Sequence, residues 1–253
     1  MHDFFRWQWN RLLKPKPEHR ADLVSWQAVN LNQIHSTQGR SATWLGHASV
    51  LIKSDGIHVL TDPIFSERAS PVSWLGPKRI KPLPVDPANL PRIDAVVISH
   101  NHYDHLDLPS LKRLNSQAGG PPLFVVPLGN AELLKRQGIS NVKALDWWQR
   151  IPVKDGLSVT LVPTQHWSKR NLLGDRNEAL WGGYVIQHRK WQAFFFFFSG
   201  YSKDFADIHA RMGDMHFAMI PIGAYAPRDF MRRQHIDPAE AVLIHQDVRS
   251  RLS

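Results

Sequence analysis

The stretch "AVVISHNHYDHLD", residues 95–107, decides the fold. An apolar run, Ala95 to Ser99, ends in His100, and His102, Asp104 and His105 follow at once. His100 and His102 are two residues apart, so in extended backbone they point the same way. Asp104 and His105 fall where the chain turns into the helical pattern "LDLPSLKRL". Polar ligand groups crowded at the end of a buried strand cost free energy unless something engages them. Imidazoles and a carboxylate together suit zinc, iron or manganese. The competing reading is a histidine-rich surface loop, and both the placement and the spacing favour a ligand cradle over it.

Outward from this cluster, three other β-type runs end in polar residues. "LVPTQHW" presents His166, "VLTDP" presents Asp62, and "TWLGHAS" presents His47 after a glycine turn. Each alone reads as a capping or packing residue. Together with the histidine cluster they read as one shared site, because ligands in layered α/β folds gather at strand ends.

The rest of the chain supports a single α/β domain over residues 41–253, preceded by a basic, aromatic arm over residues 1–40. Short β-type runs occur at "ATWLGHASVLIKS", "IHVLTDP", "PLFVVPLG", "LSVTLVPTQH", "WGGYVIQH", "WQAFFFFFSG" and "HFAMIPIG". Amphipathic helical patterns lie at "LDLPSLKRLNSQ", "NAELLKRQG", "KDFADIHARMG" and "DPAEAVLIHQDVRS". The proline-rich "PVSWLGPKRIKPLPVDPANLP" is expected to be a loop. Phe194 to Phe198 form an unbroken apolar run, the pattern of a strand covered on both faces. Five large rings in series are heavy for one strand, since misfit packing costs roughly 1–3 kcal/mol.

Composition narrows the function. Among 253 residues there is no cysteine, so any metal must be held by His, Asp or Glu. The formal net charge of +9 favours anionic partners such as acidic lipid headgroups or phosphate esters. No aromatic-interleaved basic motif accompanies it, and no nucleic-acid partner is expected. The longest apolar stretch, Ala193 to Phe198, is too short to span a bilayer. The N-terminus shows no apolar segment with a small-residue cleavage site, so the expected location is cytoplasmic. The segment "FFRWQWNRLLK" reads either as an arm packed on the domain or as an interfacial segment that sets Phe4, Phe5, Trp7 and Trp9 among headgroups at the inner membrane face.

"SHNHYDHLD" resembles the His-x-His-x-Asp-His signature of the metallo-β-lactamase superfamily. "TWLGHASVLI", "LTDPIFSERASPVSWLGPKR", "PTQHWSKR" and "IPIGAYAPRDFMRRQHIDPAEAV" are similar to its subgroup that includes N-acylphosphatidylethanolamine-hydrolysing phospholipase D. The resemblance covers roughly residues 40–250. It implies a four-layer αββα sandwich and a metal-dependent hydrolase of phosphodiesters, with phospholipid as substrate and one or two zinc ions, manganese or iron being alternatives. It implies His100, His102 and His166 as ligands of a first ion and Asp104 and His105 as ligands of a second. Asp104 and His105 would also be the catalytic pair. Tyr103 and His235 would lie near substrate, and His47 and Asp62 would orient ligands from behind.

Two elements of the family pattern are missing. The family's bridging aspartate sits in a Ser/Ala-Gly-Asp-Thr-Gly-Tyr turn, whereas this chain reads Phe198-Ser199-Gly200-Tyr201, which looks like a turn shortened by loss of Asp-Thr-Gly. The family's last histidine lies in a strand after the helix "AVLIHQDVRS", and the sequence ends before it, leaving an expected open sheet edge. Asp204 and Asp207 are the nearest replacements, but both fall in a helical stretch as helix-start acids. The readings open at this point are therefore a hydrolase with a weakened second ion, a catalytically impaired binding protein of the same fold, or a hydrolase of another substrate such as a sugar lactone.

Overall fold

Strand β1 (Arg40–Gly46) turns through His47 into β2 (Ser49–Ser54), and a tight turn at Asp55-Gly56 leads into β3 (Ile57–Thr61). Both pairings are antiparallel. The computed structural model describes residues 23–171 and 174–253. The aromatic segment with Phe4, Phe5, Trp7 and Trp9 lies outside the described residues.

Parallel strands then extend the sheet: β4 (Ala95–Val97), β5 (Leu123–Pro127) and β6 (Val142–Leu145), in the order β1-β2-β3-β4-β5-β6. A second sheet runs β11-β10-β9-β8-β7. It is built from β7 (Arg150–Lys154), β8 (Leu157–Val162), β9 (Gly183–His188), β10 (Trp191–Phe195) and β11 (Phe217–Met219). Its pairings are antiparallel except the parallel β10–β11. Six helices are described: α1 (Leu31–Ser36), α2 (Leu108–Asn115), α3 (Ala131–Lys135), α4 (Asp204–Met212), α5 (Arg228–Met231) and α6 (Pro238–Asp247).

Side-chain alternation sorts these elements into four layers. Val96, Ile98, Phe124 and Val126 face outward and pack with Leu111 and Leu114 of α2 and Leu134 of α3. Val97 and Val125, one residue out of phase, face inward and meet Val159, Leu161, Tyr184, Ile186 and Phe195 of the second sheet. Phe194 and Phe196 point the other way again, into a cluster with Phe205 and Ile208 of α4 and Ile244 of α6. The phenylalanine run is thus accommodated because its rings go alternately to two different cores. Phe194 and Phe196 stack at 5.2 Å on one side, while Phe195 stacks on Tyr184 at 5.5 Å on the other. The αββα sandwich expected from the sequence is what the chain forms.

The sequence reading missed β6 and β7, and also the short helices α1 and α5. β6 and β7 are exposed or half-buried at alternate positions and flank "DWWQ", so neither shows a continuous apolar run. The proline-rich stretch forms no strand and holds only one helical turn, Pro87–Asn89, capped by the Asp86 side chain. At the outer edge of the second sheet, Ala218 N donates to Leu252 O at 2.9 Å and Arg251 N donates to Met215 O at 3.0 Å. Among the described residues, no helix is long and apolar enough to cross a membrane.

Candidate metal centre

The site forms where β4 ends. Its three-residue ladder with β5 closes at Val97, and Ile98 N still donates to Val125 O, so the chain leaves the sheet at Ser99 with His100 projecting beyond the strand. Asp62 sits at the end of the neighbouring strand β3, fully buried. Its carboxylate accepts from Ser99 N at 2.7 Å, from Ser99 Oγ at 2.5 Å and from His105 Nδ1 at 2.7 Å. The Ser99 hydroxyl has one proton, which goes to Asp62. At His100 Nδ1, 2.9 Å away, Ser99 Oγ is therefore the acceptor. His100 is thereby held with Nδ1 protonated and the Nε2 lone pair facing the site.

The loop from Asn101 to Leu106 is clamped from outside. Arg170 Nη1 donates to Asn101 O at 3.0 Å and to Leu106 O at 2.8 Å, and its guanidinium lies 4.3 Å over the Tyr103 ring. This cation–π contact and the two carbonyl bonds fix the loop that carries His102, Tyr103, Asp104 and His105. The loop with His166 is tied to the chain after the phenylalanine run: Gln165 N donates to Ser199 Oγ at 2.9 Å and Gly200 N donates to Gln165 O at 2.9 Å. Gln165 Nε2 donates to Arg233 O at 2.9 Å, which carries the same tie to the segment before His235.

Two triads result. His100, His102 and His166 present ligand atoms within 4.8 Å of one another, and so do His47, Asp104 and His105. In the first, His100 Nε2 is 2.7 Å from His102 Nδ1, while His102 Nε2 and both ring nitrogens of His166 are buried with no hydrogen-bond partner. Buried imidazole nitrogens left without partners are costly, and their convergence fits a divalent cation of the type His ligands favour. In the second, Asp104 Oδ2 is 3.1 Å from His47 Nε2 and 3.5 Å from His105 Nε2.

Electrostatics separates the histidines. Burial holds His100 well below the usual imidazole range, and the nearby His105, His166 and His102 add to the effect. Burial likewise depresses His166, helped by His102 and His235. His102 is lowered to about 4, again chiefly by burial. These three are neutral, the form that binds metal. His105 goes the other way: burial opposes its charge, but Asp104 and Asp62 on either side outweigh burial and raise it to about 9. Burial also opposes charge on Asp104, yet His105 and His47 hold its carboxyl well below its usual range.

The histidines singled out in the sequence lie close to one another, together with Asp62 and Asp104. His235 follows α5, and its ring is 6.0 Å from that of His166, with burial lowering its pKa to about 4. Tyr103, Asp104 and His47 lie on the wall of a cavity of about 940 Å³ that opens beside the triads. His47 is not behind a ligand, where the resemblance put it, but beside Asp104 in the second triad, in a left-handed backbone with φ +47°. Asp204 and Asp207 fall in neither triad, and Asp204 is bonded to Ser202 Oγ at 2.8 Å.

Phe198 is the residue the sequence reading missed. Its ring lies 4.6 Å from His105, 4.8 Å from His235, 5.4 Å from His166 and 5.8 Å from His100, against members of both triads. Ser199-Gly200-Tyr201 follow it directly. Counting back from Gly200-Tyr201 to the family's Gly-Tyr, Ser199 stands at the threonine and Phe198 at the aspartate. Trp167, 4.4 Å from His102 and bonded through Nε1 to Gln234 Oε1, is a second neighbour not foreseen.

Comparison with known proteins agrees with this geometry. The family model described as "Beta-lactamase superfamily domain" matches residues 58–253. The N-acyl-phosphatidylethanolamine-hydrolyzing phospholipase D 1 of Caenorhabditis elegans is 40% identical over 235 residues, covering 89% of this chain and 65% of that protein. The mitochondrial yeast enzyme of the same description is 36% identical, covering 83% of this chain and 45% of its own length. The chain thus spans about half to two thirds of the length of these relatives. In fold it is similar to the isothiocyanate hydrolase from Delia radicum gut bacteria, with a TM-score of 0.62, 21% identity and coverage of 83% and 82% of the two chains. It is also similar to the archaeal metallo hydrolase Igni18 of Ignicoccus hospitalis, with a TM-score of 0.60, 19% identity and coverage of 83% and 79%. The strand-end histidine motif, the two packed sheets and a family match over most of the chain lead to one assignment: the protein belongs to the β-lactamase superfamily.

Proposed function

We propose that this protein is a metal-dependent phosphodiesterase acting on N-acylated phosphatidylethanolamine-type lipids at a membrane surface, with zinc as the first choice of cation and manganese or iron as alternatives. The observation that carries the reading is the shape of the cavity beside the histidines. Its lining combines the apolar Trp26, Trp44 and Ile80 with the cationic Lys78, Lys81 and Lys169. An acyl chain suits the first group and a phosphodiester suits the second. The phospholipase D relatives and the net charge of +9 point to the same kind of substrate.

His100, His102 and His166 would hold the cation, and a cation there would polarise a phosphoryl oxygen and make water more acidic. The chain's own groups do the rest. The lysines of the cavity lining draw in the anionic phosphate. Asp104 Oδ2, kept ionised, accepts the proton of the attacking water, and His47 Nε2 at 3.1 Å is placed to take it onward. His105, pinned between Asp62 and Asp104, holds that carboxylate in place. Tyr103 lines the cavity, and His235 lies beside His166 and Phe198, where it would approach bound substrate. The balanced reaction forms a bond from water oxygen to phosphorus and breaks the phosphorus–oxygen bond to the N-acylethanolamine, whose oxygen takes up a proton.

A second reading is favoured by Phe198, which puts hydrocarbon among the histidines: a protein that binds the lipid and one cation but turns over slowly or not at all. Mixed vesicles of N-acylphosphatidylethanolamine and phosphatidylcholine test both, with zinc, manganese or iron supplied and a sugar lactone and RNA assayed in parallel. Release of N-acylethanolamine and phosphatidic acid is the expected result. Vesicle binding without release supports the second reading, and turnover of lactone or RNA alone overturns the lipid assignment.

A further inference from the structure

We infer that Phe198 sets the number of tightly held cations in this site at one, at His100, His102 and His166, and that His47, Asp104 and His105 remain without a cation. The inference rests on the proposed cation site but not on the substrate.

The two triads share a wall, since the His100 and His105 rings are 4.3 Å apart. Phe198 touches members of both. It stacks on His166 at an interplanar angle of 24° and meets His105 edge-on at 84°, and it lies 6.1 Å from His47. The space that two cations would share is thus bordered by a ring that offers no ligand, no charge and no partner for a bridging water. Negative charge is also short. Both oxygens of Asp62 are committed to Ser99 and His105, so Asp104 is the one carboxylate within the triads. Two dications a few ångströms apart, with one carboxylate between them, repel strongly where the dielectric is low. The triads are not equal claimants. In the first, three buried nitrogens on His102 and His166 have no partner, whereas in the second His105 Nε2 alone lacks one, 3.5 Å from Asp104 Oδ2, and that oxygen is already bonded to His47 Nε2. The single cation therefore belongs to the first.

The test is stoichiometry on the full chain. Metal-stripped protein is titrated with zinc by calorimetry, and bound metal is counted by elemental analysis after gel filtration. Cobalt loading, read by electron paramagnetic resonance, distinguishes an isolated ion from a coupled pair. The wild type is expected to retain one ion per chain with an uncoupled cobalt signal, and His47→Ala is expected to retain the same one. Phe198→Asp places a carboxylate where the ring faces both triads and is expected to raise the count to two, with a coupled cobalt signal. Two tight ions in the wild type overturn the inference, as does a folded Phe198→Asp variant that still holds one. If that variant does not fold, the wild-type count decides alone. The count is read without substrate, so loss of the lipid assignment and loss of this inference are separate results.

Discussion

At the scale of single residues, Asp62 does the most for the site without facing it. It is fully buried and receives three hydrogen bonds, from the amide and hydroxyl of Ser99 and from His105. Through Ser99 it fixes the tautomer of His100, and directly it fixes the orientation of His105. A carboxylate that orients metal-binding histidines in this way typically accounts for a 10–100-fold difference in affinity. Asp62→Asn keeps the shape but reverses one side of this hydrogen-bond chain. It is expected to weaken zinc binding by about 10–100-fold in a calorimetric titration, with the protein still folded by circular dichroism. An unchanged affinity would show that His100 needs no such support. Asp62 could be singled out from the sequence because an acid at the end of "HVLT" breaks an apolar run. Phe198 could not, because one more phenylalanine in a run of five looks like core.

At the scale of elements, the chain between β10 and α4 does two jobs. Up to Phe195 it is a strand inside the second sheet, and from Phe196 to Tyr201 it leaves the sheet and ties the site's loops together. Gly200 is the tightest point of this crossing. A Cβ there would sit 2.5 Å from Gln165 Nε2 and 2.7 Å from the Arg233 backbone, closer than atoms tolerate. Gly200→Ala should push apart the loops that carry His166 and His235. A destabilisation of about 1–3 kcal/mol is expected from forced repacking of this kind, read from chemical denaturation. Weaker zinc binding should accompany it. If stability falls and affinity does not, the tie serves the fold alone.

At the scale of the whole molecule, the buried histidines make the stability of the metal-free protein depend on pH in two directions. His102 and His235 are held at about 4, so below pH 6.5 the unfolded chain takes up protons that the folded chain refuses. Their effect is a loss of stability as pH falls from 6.5 towards 4. His105 is raised to about 9, so its contribution is complete below pH 6.5 and is lost as pH climbs through 9. Melting curves in chelator from pH 4 to 9 are expected to show a maximum near pH 6.5. A melting temperature that keeps rising from 6.5 to 9 would mean that His105 is not held charged between Asp104 and Asp62.

The class of fold and the place of the candidate metal centre were legible in the chain's own pattern of residues. Largely apolar runs such as "LSVTLV" and "AVVI" are legible because both faces of those strands are covered. A histidine at the end of such a run has nowhere to go but the rim of the sheet. Edge strands β6 and β7 were not legible, since half-exposed residues carry no continuous apolar signal. Only the tertiary structure decided how the ligands are shared. Residues far apart in the chain, His47, Asp104 and His105 on one side and His166 and His235 on the other, acquire their grouping from two sheets that bring their strand ends together. The same packing turned Phe198 from the last ring of an apolar run into a side chain that touches both groups. Such a role depends on distances across the sandwich, and no local pattern in the sequence encodes them.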